Sequence, residues 1–96
     1  MYIVIAHYRA RSTSAEAVAA LLPKLAVESR REPGNLSYAI TRNLEDPDVF
    51  VVIEKYEAEE DFLAHRRSTH FQEIGLASII PHLDDRTVET FIATSN

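Results

Sequence analysis

Cysteine and tryptophan are absent from this 96-residue chain, which has only two glycines and four prolines. Without thiols, disulfides and thiolate metal centres are excluded. Gly34 and Gly75 are too few and too far apart for a phosphate-cradling loop or a dinucleotide-binding turn, so no flavin or nicotinamide cofactor is expected. No Ser-His-Asp order suggests a hydrolase. No apolar run approaches the roughly 20 residues of a membrane span, and the start lacks a cationic leader. A cytoplasmic protein without a membrane partner is expected. Ten basic residues against fifteen acidic ones leave a net charge of −5, which disfavours nucleic acid as a partner. The 46% hydrophobic share suits one globular domain over residues 1–96. A chain this short buries only about 60–65% of its unfolded surface, so a second subunit is the natural supplement to its core.

Tyr2 to Arg9 is β-branched and aromatic without Gly or Pro, and reads as a strand apolar on nearly both faces. Thr13-Ser14-Ala15-Glu16 fits a capping box, predicting a helix whose stripe is Val18, Leu22, Leu25 and Ser29, widened by Leu21 and Ala26. Pro23 inside it predicts a local kink. The helix should end near Arg30-Arg31, with Pro33-Gly34 closing it. Leu36, Tyr38 and Ile40 alternate with Ser37, Ala39 and Thr41, and Val49 to Tyr56 is a further two-faced strand. The polar stretch Asn43–Asp48 between them predicts an antiparallel hairpin. Acids from Glu57 to Asp61 and Arg66-Arg67 bracket a second helix, whose inward stripe is Ala58, Phe62 and His65. Another helical stretch runs from His70 to about Ile80, and Arg86 to Ala93 reads as the last strand.

The order β-α-β-β-α-β is the ferredoxin-like split βαβ, an α+β fold with a four-stranded antiparallel sheet. Helices cover one face of such a sheet, yet the first and third strands are apolar on both. A homodimer packed sheet to sheet is therefore expected.

Glu28, Arg31-Glu32-Pro33-Gly34-Asn35, Tyr38, Ile53-Glu54-Lys55-Tyr56, His65 and Ser68-Thr69-His70-Phe71 resemble the antibiotic biosynthesis monooxygenase family. That family often reads E-P-G-x-x-x-Y, then I-E-x-W, then H-x-x-S/T-x-H-F. The resemblance implies a dimeric α+β barrel, with a pocket between each subunit's helices and its own sheet. It also implies oxidation of a small electron-rich aromatic, a quinol or polycyclic phenol, by molecular oxygen without a prosthetic group. Other branches degrade haem or isomerise a small phosphorylated ketone. Tyr8 and Tyr56 stand where haem degraders carry asparagine and tryptophan, which argues against haem. A noncatalytic dimer binding a small ligand is a further alternative, because the fold hosts many unrelated tasks.

Cofactor-free oxygenation asks the protein for a base, an apolar pocket and hydrogen bonds that orient the substrate anion. Histidine is the convenient base near neutral pH. His65 is the leading candidate, with Glu54 on the facing strand as its orienter and His70 as a further catalytic candidate. The same His-Glu pair would equally serve as a buried tie between helix and sheet. Tyr56, Tyr38, Phe50, Phe62, Phe71 and Tyr8 are the candidate substrate-binding residues. His7 and Tyr8 lie on opposite faces of the first strand, and the resemblance implies that Tyr8 faces the pocket, with His7 on the opposite, dimer side. His65 and His70 are five apart, not the i, i+4 spacing that lets one helix place two imidazoles on one ion, so no metal is expected. Arg66-Arg67 with Arg42 could bind an anionic substrate, or merely complement a helix end and nearby acids.

Overall fold

Strict period-2 burial organises the sheet in the computed structural model, which describes residues 1–94. Strand β1 (Tyr2–Ala10) buries Val4, Ala6, Tyr8 and Ala10 on one face, and β3 (Val49–Tyr56) buries Phe50, Val52, Glu54 and Tyr56. Between them in sequence lie helix α1 (Ala15–Ser29) and strand β2 (Asn35–Arg42). Helix α2 (Glu59–Arg67), a π-helical segment (Phe71–Ile79) and strand β4 (Leu83–Ile92) complete the chain. The strands lie in the order β2-β3-β1-β4, all neighbours antiparallel, which is the ferredoxin-like arrangement. The last strand begins three residues before the expected Arg86 and pairs with β1 of its own chain.

Helix α1 packs through the expected stripe: Val18, Leu22, Leu25, Ala26 and Ser29 are all buried. Full burial of Leu22 or Leu25 contributes about 1.5–3 kcal/mol each. The helix continues through Pro23, and the Ser29 hydroxyl donates back to the Leu25 carbonyl at 2.8 Å. The capping box is not formed. Ser12–Ser14 instead coil into a 3-10 turn, the Ser14 hydroxyl lies 3.1 Å from Nδ1 of His82, and Glu16 pairs with Arg42 at 2.6 Å. Long-range partners have displaced a local one.

Gly34 is explained by close approach, not by backbone conformation, because no glycine has positive φ. A Cβ built there would lie 2.0 Å from Cγ of Asp61. That carboxylate accepts the Ala58 N–H at 3.1 Å and so caps the start of α2. Gly34→Ala should therefore displace the cap and lower Tm by about 5–10 °C, as a thermal melt would show.

The outer face of the sheet carries Ile3, Ile5, Val51 and Ile53, with Phe91 at the β4 edge 47% exposed. No other element among the described residues covers this face. His7 lies there too, 2.7 Å from Glu89, while Tyr8 points under the helices.

Candidate active site

His65 sits at the centre of a ring of aromatic side chains. It projects from the last turn of α2 onto the sheet and is 1% exposed. Its ring centroid is 5.1 Å from Phe71, 5.8 Å from Tyr56, 5.9 Å from both Tyr38 and His70, and 6.3 Å from Phe62. The reason is periodicity: Phe62 and His65 share one face of α2, and Tyr38 and Tyr56 flank Glu54 on the inner face of the sheet.

The hydrogen bonds differ from the expected pair. Nδ1 of His65 lies 2.7 Å from Oε2 of Glu32, in the turn between α1 and β2. The same oxygen lies 2.5 Å from Nε2 of His70. Glu54 does not orient His65 by a hydrogen bond: its Oε1 is 3.7 Å from Nε2, and it accepts the Tyr56 hydroxyl at 2.6 Å. Glu32 is thus the orienter that the sequence reasoning missed. Its signal was available in the Glu32-Pro33-Gly34 triplet, but its partners lie 33 and 38 residues away.

Burial pushes the Glu54 carboxyl above the ordinary carboxylate value of 4.5, although the Tyr56 hydroxyl and His65 pull it down. A carboxyl raised in the folded state supplies stability that is complete below that ordinary value. The contribution is lost as pH climbs through the raised one. Glu54→Gln keeps an acceptor for Tyr56 and removes this loss. Its Tm should exceed the native value at pH 8, and the difference should vanish near pH 4. An equal or lower Tm at pH 8 would contradict the assignment. Burial also drives the hydroxyls of Tyr8, Tyr38 and Tyr56 upward, so all three stand as protonated phenols at neutral pH. They can donate hydrogen bonds but are poor bases.

The enclosed space beside His65 and Glu54 is only about 10 Å³, bounded by Tyr8, Phe62 and Phe71 among others. It holds one water at most, not the ring-sized cavity expected. An open trough of about 270 Å³ lies above it, along Tyr2, Phe62 and Val88, and a second of about 300 Å³ adjoins along Phe71 and Leu76. Arg66 and Arg86 line both troughs and the inner space. Phe62, Arg66, Arg86 and Val88 line both the first trough and the inner space, so they stand between that trough and His65.

Most of the expected site residues converge here: His65, Glu54, His70, Tyr56, Tyr38, Phe62, Phe71 and Tyr8. Phe50 does not. It lies two rungs down β3 in the apolar core, under the Arg42 guanidinium at 5.0 Å. Arg42, paired with Glu16, also stands apart from Arg66. Of the two readings of these arginines, Arg42 follows the one in which it complements a nearby acid.

A four-stranded antiparallel sheet roofed on one face by helices, with a buried histidine among aromatic rings on that face, places the chain in the ferredoxin-like α+β class. The profile described as antibiotic biosynthesis monooxygenase matches residues 1–75, and the chain belongs to that family. Among solved structures it is 28% identical to an antibiotic biosynthesis monooxygenase, with 99% of this chain and 100% of that one covered at a TM-score of 0.91. A Nitrosomonas europaea protein named as a candidate antibiotic biosynthesis monooxygenase is 24% identical over 99% and 100% of the two chains, at 0.93. A protein of Mycobacterium tuberculosis is 24% identical over 99% and 96%, at 0.89. No functionally curated protein matches the sequence. Family membership supports a monooxygenase-like or small-molecule-binding role. No helix among the described residues is long and apolar enough to cross a membrane.

Proposed function

We propose that the chain oxidises a small electron-rich aromatic, a quinol or polycyclic phenol, with molecular oxygen, and that His65 is the base. The observation that carries this reading is the hydrogen bond from His65 to Glu32. With the ring proton on Nδ1 directed at Glu32, the lone pair of Nε2 faces the inner space beside Glu54 and Tyr56. Nε2 then takes the phenolic proton, and the Glu32 carboxylate stabilises the imidazolium that results. The phenolate is the better electron donor to oxygen. For a quinol the balance closes without another reductant. One oxygen atom enters the ring, the other leaves as water, and the product is a hydroxyquinone. Tyr38, Tyr56, Phe62 and Phe71 supply flat apolar walls that exclude water from the anion. A hydroquinone panel in an oxygen electrode tests the reading. Uptake should exceed the protein-free rate for at least one quinol, and rates equal to buffer across the panel would overturn the oxygenase reading.

Arg66 and Arg86 favour a second reading. Both lie over aromatic rings, 5.9 Å from Phe62 and Tyr8 respectively, and neither forms an ion pair among the described residues. Two cations lining an open trough suit the phosphate of a small phosphorylated ketone, the substrate class of an isomerase.

The functional unit in either reading is a homodimer closed through the outer face of the sheet. Its support is the uncovered apolar set Ile3, Ile5, Val51 and Ile53, on a chain too small for a large core.

A further inference from the structure

We propose that Glu32, His65 and His70 form a binding site for a divalent transition-metal ion of zinc type. The proposal goes beyond the oxygenase reading, because it uses the opposite edge of the His65 ring. One ligand atom from each of the three residues lies within 4.8 Å of the other two. Two imidazole nitrogens and a carboxylate are the donor set that such ions take, leaving a fourth position for water or a ligand.

The five-residue spacing of the two histidines argues against this arrangement. That objection holds only while both residues ride on one helix. Helix α2 ends at Arg67, and Ser68 is extended with ψ of 153°. The chain turns there, so His70 approaches Glu32 from a different direction than His65 does. Three separate segments deliver the three ligands: the α1–β2 turn, α2, and the residue before the π-helical segment. Glu32 already holds both rings through Oε2, at 2.7 Å from His65 and 2.5 Å from His70, so the side chains are gathered before any ion arrives.

Two further observations point the same way. The second carboxylate oxygen of Glu32, Oε1, is buried and has no hydrogen-bond partner. Buried polar atoms are rarely left in that state, and a cation between the carboxylate and the imidazoles would satisfy it. On the far edge of the ring, Nε2 of His65 faces Oε1 of Glu54 at 3.7 Å, and Tyr56 fixes Glu54 through a 2.6 Å hydrogen bond. Ligation through Nδ1 places the ring proton on Nε2, directed at Glu54. A ligating histidine backed by a carboxylate is the recurrent outer-sphere arrangement at metal centres. Ligation also removes the free lone pair of Nε2, so the ion inhibits the base chemistry proposed for His65 and does not assist it.

The test titrates tag-free, chelator-treated protein with Co²⁺, read by visible absorption, and with Zn²⁺, read by calorimetry. The expected result is one ion per chain, a tetrahedral cobalt spectrum that zinc abolishes, and a Tm that rises with zinc concentration. His70→Ala, at a partly exposed position, should abolish the cobalt spectrum and the zinc-dependent rise in Tm while its circular dichroism stays native. Glu54→Gln should weaken binding by about 10–100-fold. His7→Ala, on the outer face, should bind as the native chain does. No saturable binding at micromolar metal would overturn the proposal. So would binding unchanged in His70→Ala, or lost in His7→Ala. None of these readouts uses oxygen consumption, so failure here is separable from failure of the oxygenase reading.

Discussion

Replacing His65 with alanine should lower oxygen uptake on the best quinol by about 10²–10⁴-fold, the usual contribution of a positioned base. The loss should fall on kcat with KM little changed, because proton removal acts on the bound substrate. His65 is also a buried packing residue, so the alanine variant must be shown to fold by circular dichroism before its rate is read. His65→Gln provides a larger side chain without a base, and its uptake should fall equally. Added imidazole should restore part of the rate to the alanine variant, where space is left, and not to the glutamine one. A folded His65→Ala variant that oxidises quinol at the native rate would remove His65 from the chemistry. Glu32→Gln should produce a smaller loss in kcat, since it weakens the hydrogen bond that holds the ring.

If the proposed dimer forms, Ile53→Lys should convert it to a monomer in sedimentation at micromolar concentration. Ile53 lies on the outer face, opposite Ile5 on one neighbouring strand and Ala39 on the other. A sheet-to-sheet interface would bury it at the centre. An ammonium group desolvated there without a partner costs several kcal/mol, and each 1.4 kcal/mol weakens association tenfold. Affinity should therefore drop at least 10²-fold, and Tm should become lower than native. Glu54 and His65 project from the other side of the sheet, so a monomer that keeps oxygen uptake would place the whole site in one subunit. A native chain that already sediments as a monomer would eliminate the dimer.

The fold was legible because its signals are local. Apolar residues alternate along Tyr2–Ala10 and Val49–Tyr56, a 3.6-residue stripe runs from Val18 to Ser29, and a polar turn joins β2 to β3. The site was legible in part, and for the same reason. Phe62 and His65 share a helical face, while Glu54 and Tyr56 share a strand face, so each pair follows from spacing alone. The errors fall where distant groups compete. The Thr13–Glu16 box lost its Glu16 to Arg42, and the neighbouring Ser14 pairs with His82. Phe50 has the same strand parity as Glu54, yet it stands two rungs further along and packs into the core. Parity says which face a residue takes but not which neighbour waits there.

Composition and periodicity therefore determined the α+β order, which residues share each face of a strand, and the inward stripe of α2 that carries His65, since these depend on residues within one or two turns of each other. Only the tertiary structure decided that Glu32 and not Glu54 holds the imidazole, that His70 joins the same carboxylate, and that the space beside them is nearly filled. Those outcomes rest on contacts between residues more than thirty positions apart and on side-chain volumes summed over five elements. Neither quantity is encoded in any short stretch of chain.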